Sequence, residues 1–192
     1  KSPDGKVKLE VTAGQGIAYS LFYDGRLLLK PSRIALHTDL PEADHWENIR
    51  ITGTKQRHVS ETVQAPFYRV KEFGIDCNEL ELRLNNGFSL LMRAYNDGMA
   101  YRFVAGRKGE MTVVEERAEF NFADDFEAYI PYSTNPKDPW NMAFQNFYTK
   151  APLTQYNTEL PAFLPLTVDA GAVKLTLLES DLEAYPGMFV CG

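Results

Sequence analysis

Histidine and cysteine are scarce in this sequence, three of one and two of the other among 192 residues. Cys77 and Cys191 lie far apart without a CxxC neighbour, and His37, His45 and His58 lack zinc-finger spacing, so no zinc site is spelled out. Two cysteines permit one disulfide without implying it, and their pairing stays open. No run of Lys or Arg exceeds two residues, and 20 basic against 26 acidic side chains leave a net charge of −6. That argues against a nucleic-acid partner, which needs a clustered basic face. No apolar stretch approaches the roughly 20 residues of a membrane-spanning helix. There is no glycine-rich phosphate loop, no GxSxG and no HExxH. Gly14-Gln15-Gly16 joins two strand-like runs and opens no helix, so it reads as a plain turn. The chain starts at Lys1 with no apolar leader, as expected of a trimmed product whose export signal is already gone. It stops in the strand-like run FVCG, as expected of a cut inside a longer protein.

Helical periodicity is also missing, apart from single turns suggested at Glu42–Asn48 and Ala143–Tyr148. What is present is strand after strand. Val7, Leu9 and Val11 alternate in KVKLEVT, the period of a half-buried strand. Ile17 to Tyr23 runs into Asp24-Gly25 and out through Arg26 to Leu29, a strong short hairpin signal because both turn residues tolerate positive φ. ELELRL, Asn85-Asn86-Gly87 and FSLLMRAY spell a second hairpin, and Asn96-Asp97-Gly98 leads into MAYRFVA. Thr112 to Phe122 alternates again, and Ala172 to Glu179 closes the series. Turns recur at sandwich-like spacing, and no strand–helix alternation supports a parallel sheet. The pattern predicts an all-β, antiparallel fold, a large β-sandwich with more than ten strands. Leu36–Asn48 and Ile130–Tyr156 read as irregular. The second is rich in proline and aromatics, which predicts a loop packed on its own sandwich or on a neighbouring domain.

The stretch LTLLESDLEAYPGM ends a strand on a carboxylate. Val173, Leu175, Leu177 and Glu179 share one face, and the face is apolar until Glu179. An inward Glu179 needs a hydrogen-bond donor, an arginine or a metal, because a buried unpaired carboxylate is costly. If the strand has already ended, Glu179 is a solvated loop residue. Other carboxylates offer no acid–base pair: Glu115 and Glu116 face opposite ways in a strand, and Asp124-Asp125 sits at a turn. Arg93 and Arg102 flank a tight turn and would repel each other unless a carboxylate intervened; an ion pair is the ordinary reading. Trp46 and Trp140 lie in the irregular stretches, where aromatics stack on sugar rings or simply anchor loops.

Several motifs occur together in a telling order. The opening KSPDGKVKLEVTAGQGIAYSLFYDGRLLLKPSRIAL, with Ser32, is followed by RAYNDGMAYRF, EERAEFNF, FYTKAPLTQ, LPAFLPLTV and LLESDLEAYPGMFV. This order resembles the amino-terminal domain of glycoside hydrolase family 97, retaining and inverting α-glycosidases of gut and soil Bacteroidetes. The resemblance covers nearly the whole chain. It departs at Asn96, where the family commonly has aspartate, and at Phe144–Phe147, where an acidic or aromatic residue is frequent.

The resemblance implies that residues 1–192 form one super-sandwich domain of the galactose-mutarotase-like kind. A catalytic (β/α)₈ barrel and a small carboxy-terminal β domain would lie outside this chain. It implies that the chain holds no catalytic residue, packs on its barrel and walls one side of the pocket for an α-linked oligosaccharide. It also implies that Glu179 is lent to an active-site Ca²⁺ shared with the barrel, calcium being a hard cation that takes several oxygens. An exported, periplasmic setting goes with the family. Substrate-binding candidates in this chain are Trp140 and Trp46. Two other readings stay open: a free-standing carbohydrate-binding module and a purely architectural sandwich.

Overall fold

The computed structural model describes residues 1–141, 144–183 and 185–192. The fold is all-β and antiparallel, and it divides into two compact units, Lys1–Ala123 and Asp124–Gly192.

Unit 1 contains β1 (Val7–Gly14), β2 (Gly16–Tyr23), β3 (Arg26–Thr38), β4 (Ile51–Gln64), β5 (Glu72–Leu84), β6 (Phe88–Tyr95), β7 (Gly98–Ala105) and β8 (Val113–Ala118). They form two four-stranded sheets, ordered β1-β2-β3-β8 and β4-β5-β6-β7. The inner faces carry alternating apolar residues: Ile17, Tyr19, Ile34, Leu90 and Met92 are fully buried. Tyr19 on β2 meets Tyr101 on β7 with ring centroids 6.0 Å apart, so the sheets close on one another as a sandwich. At the β2–β3 turn, Asp24 and Gly25 take φ values of 49° and 81°, the double positive φ of a type I′ hairpin.

Three sequence motifs knit unit 1 together. The Ser2 hydroxyl donates to Asp4 and accepts from the Val7 amide, which closes the SPDG turn. The Asp4 N–H then donates to Asn96 Oδ1 at 3.0 Å. Two turns 92 residues apart in sequence thus meet, and the departure at Asn96 supplies the acceptor. Ser32 is fully buried; its hydroxyl donates to the Lys30 carbonyl and accepts the Asn121 N–H, bridging β3 to the chain that follows β8.

The segment 42–48 is not a helix. The Ala43 and Asp44 amides donate to the Leu40 carbonyl, a single turn, after which His37 holds Asp44 at 2.7 Å and Trp46 dives into the core. These side-chain contacts pull the segment off a helical path.

Unit 2 contains β9 (Glu127–Ile130), β10 (Thr149–Pro152), β11 (Ala162–Phe163), β12 (Leu166–Asp169), β13 (Lys174–Leu177) and β14 (Phe189–Val190). The sheets are β10-β9-β12-β13 and β11-β14. Its core comprises Ala128, Ile130, Ala162, Phe163, Leu166 and Val168. A 3₁₀ turn at Leu153–Gln155 is the helical element among the described residues. It is held at its start by Asp125, whose carboxylate accepts the Thr154 N–H and hydroxyl. The turn suggested at 143–148 begins outside the described residues, and Phe144–Tyr148 form no helix.

Candidate functional site

Glu179 sits just past β13. The β12–β13 hairpin sets Val168 opposite Leu175 and Leu166 opposite Leu177, with an Asp169–Lys174 ion pair at its turn. Pairing stops at Leu177, yet the alternation does not: Val173, Leu175, Leu177 and Glu179 are half-buried, while Lys174, Thr176, Leu178 and Ser180 are exposed. Both halves of the sequence-level alternative therefore hold. The strand has ended, and the carboxylate still finds a donor. The Met188 N–H reaches both its oxygens, at 2.9 and 2.8 Å. Among the described residues, one amide hydrogen shared between two oxygens leaves the carboxylate with further acceptor capacity. The same bond links Met188 back to the end of β13, and just beyond Glu179, Asp181 takes a φ of 64°, a conformation Asp tolerates.

The donor set decides what this carboxylate can do for a metal. Among the described residues, no three His, Cys, Asp or Glu side chains cluster to hold an ion. Calcium takes six to eight oxygens. Glu179 fits as one hard oxygen ligand of a shared site and cannot form a site alone.

The other sequence candidates separate cleanly. Trp46 is only 5% exposed; its indole N–H donates to the Leu36 carbonyl, and its ring contacts His37, Phe88 and Phe103. With its faces packed it cannot stack on a sugar, so it is a loop anchor, and its place among the substrate-binding candidates is corrected. Trp140 is 58% exposed and stands edge-on against Phe189, centroids 4.9 Å apart. Phe144 lies between Phe163 and Phe189, and the Asn146 amide donates to the Tyr132 carbonyl. The proline-rich loop thus packs on unit 2 itself. Cys77 is buried in β5, Cys191 is exposed, and both are free thiols.

Unit 1 carries a charge constellation of its own. Arg57, Glu79 and Arg93 stand side by side across β4, β5 and β6. Glu79 is buried, accepting from Arg57 Nε at 2.6 Å and Arg93 Nε at 2.7 Å. The carboxyl is held below its ordinary range chiefly by the Arg57 hydrogen bond, with Arg93 adding to it and burial opposing. Arg93 faces Ala100 and Arg102 faces Leu91, so the two arginines are not direct partners, and Arg93 takes the ion pair that was its ordinary reading. Sequence did not single out Glu79; only the register of three strands puts it between two guanidiniums.

Comparison with known proteins identifies the chain's kin. Residues 1–192 match the family described as Glycosyl-hydrolase 97 N-terminal. The chain belongs to that family. A retaining alpha-galactosidase of Bacteroides thetaiotaomicron is 40% identical over 196 residues, spanning 98% of this chain and 29% of that protein. A probable retaining alpha-galactosidase of Streptomyces bingchenggensis is 26% identical over 158 residues, 80% of this chain and 24% of its own length. A family 97 enzyme of Pseudoalteromonas sp. in complex with panose shares the fold at a TM-score of 0.71 and 19% identity, over 88% of this chain and 26% of its own. The family 97 domain thus spans less than a third of the relatives it matches. No helix among the described residues is long and apolar enough to cross a membrane.

Proposed function

We propose that the family 97 domain is the non-catalytic amino-terminal part of an exported α-glycoside hydrolase. It packs on a catalytic (β/α)₈ barrel, walls the substrate pocket and lends Glu179 to an active-site calcium. The observation that carries this reading is the match along all of residues 1–192, together with the 40% identity to a retaining alpha-galactosidase more than three times as long. That relative's name favours an α-galactoside as substrate. Support for the role of Glu179 comes from its geometry: a half-exposed carboxylate, aimed by one backbone amide and holding lone pairs in reserve. Bound calcium would supply a hard Lewis acid for sugar oxygens. This chain's share is positional. Glu179 contributes a negative ligand oxygen, and the Met188 amide fixes its direction.

The test is Glu179→Gln in the full-length enzyme. The amide oxygen still accepts from Met188, so the loop is preserved while the charge is lost. The expected result is at least about 10-fold weaker apparent calcium affinity, with a matching fall in hydrolysis rate at limiting calcium. Unchanged rate and calcium dependence would return Glu179 to an architectural role.

A further inference from the structure

We propose that the β4–β5 hairpin is a docking arm that lodges against the polypeptide joined to this domain in the full-length protein. This rests on the reading of the chain as one part of a longer hydrolase. The hairpin is paired from Ile51–Leu84, past an irregularity at Thr52, to Gln64–Glu72, but β6 accompanies β5 only from Cys77 to Arg83. Ser60–Gln64 and Glu72–Asp76 therefore continue past their sheet as a ribbon of two strands. Such a ribbon is marginal in water without further packing.

The ribbon is two-faced. Strand alternation puts Val59, Val63, Phe73, Ile75 and Cys77 on one side, interrupted by Glu61. Ser60, Thr62, Gln64, Glu72 and Asp76 lie on the other. The apolar side leads to the tip, where the Ala65 N–H donates to the Lys71 carbonyl at 2.7 Å and the Tyr68 N–H to the Ala65 carbonyl at 3.0 Å. Those bonds present Phe67 at 98% exposure and Tyr68 at 69%. A formed turn holding aromatics in water, on an amphipathic stem, has the shape of an element meant to be covered.

The occupant follows from chain length and concentration. The matched relatives extend to more than three times this length. A tethered surface is present at an effective concentration on the order of millimolar, so the joined polypeptide out-competes a second copy at ordinary protein concentrations.

The experiment is hydrogen exchange on the full-length protein. Amides 64–73 should exchange at least about 10-fold more slowly than in the same protein carrying Phe67→Ser and Tyr68→Ser, independent of protein concentration. Both substituted side chains are in water here, so the folded domain tolerates them. Val114→Ser, exposed on β8, should leave the protection unchanged. Tip amides exchanging as fast as free ones overturn the proposal. Protection that grows with concentration alongside a dimer also overturns it, and assigns the arm to a second copy. The Glu179 proposal is read separately. An unprotected arm in an active, calcium-dependent enzyme sinks only the arm, and a protected arm in a calcium-independent protein leaves it standing.

Discussion

At the scale of single residues, a carboxylate's neighbours decide its function. Glu79 and Glu179 are chemically identical, yet one is spent and the other is in reserve. Two guanidiniums engage both oxygens of Glu79; a single amide shared by both oxygens leaves Glu179 able to take another partner. Glu79→Gln should destabilise the domain by about 2 kcal/mol at neutral pH, because it strands two arginines beside a neutral group. The pH dependence has a definite sign. The folded-state value of Glu79 lies below the ordinary 4.5, so its contribution is complete above about that pH and is lost as pH falls through the lower folded value. Melting curves of the two proteins should therefore converge below pH 4.5. A gap that stays constant into acid would show that the ion pair contributes nothing.

At the scale of elements, hairpins carry this fold, and backbone close approach sets what they tolerate. The β5–β6 turn lies against the chain just after β7: the Gly106 N–H donates to the Gly87 carbonyl at 2.9 Å. A Cβ on residue 106 would meet that same carbonyl oxygen at 2.6 Å, a backbone atom that no rotamer change can clear. Gly106→Ala should cost about 1–3 kcal/mol, read as a lower denaturation midpoint at unchanged slope. A neutral result would mean that the turn shifts freely. Element legibility followed amphipathicity. Hairpins with alternating apolar residues and Asp-Gly or Asn-Gly turns were readable. β4 was not, because ITGTKQRHVSETVQ buries only Val59 and draws its order from thirteen cross-strand partners on β5. In unit 2 the runs holding β13 and β14 were readable, whereas β9 to β12 escaped, since two to four residues hold too little period to read.

At the scale of the whole molecule, unit 2 offers the half-buried carboxylate of Glu179, the ligand proposed for a shared calcium, and one largely exposed tryptophan, Trp140. Calorimetry on the 192-residue chain should show calcium binding weaker than about 1 mM, since a lone carboxylate cannot replace a six- to eight-oxygen shell. The same titration with an α-linked oligosaccharide should show no binding, because Trp140 is a single partly covered ring. Tight calcium binding by the chain alone would contradict a shared site. Sugar binding would favour a carbohydrate-binding module built on Trp140.

The amino-acid sequence by itself determined the all-β class, the main hairpins, the order of the motifs and the family, because alternation and turn chemistry are local and survive without coordinates. It also marked Glu179 as the residue where an apolar face turns acidic. Only the tertiary structure decided that Trp46 is an anchor, that Met188 aims Glu179, that Glu79 sits between two arginines and that an apolar arm stands in water. Each of these depends on burial and on which residues face one another once the chain has folded, and neither the register of paired strands nor the cover over a side chain is written in a local pattern.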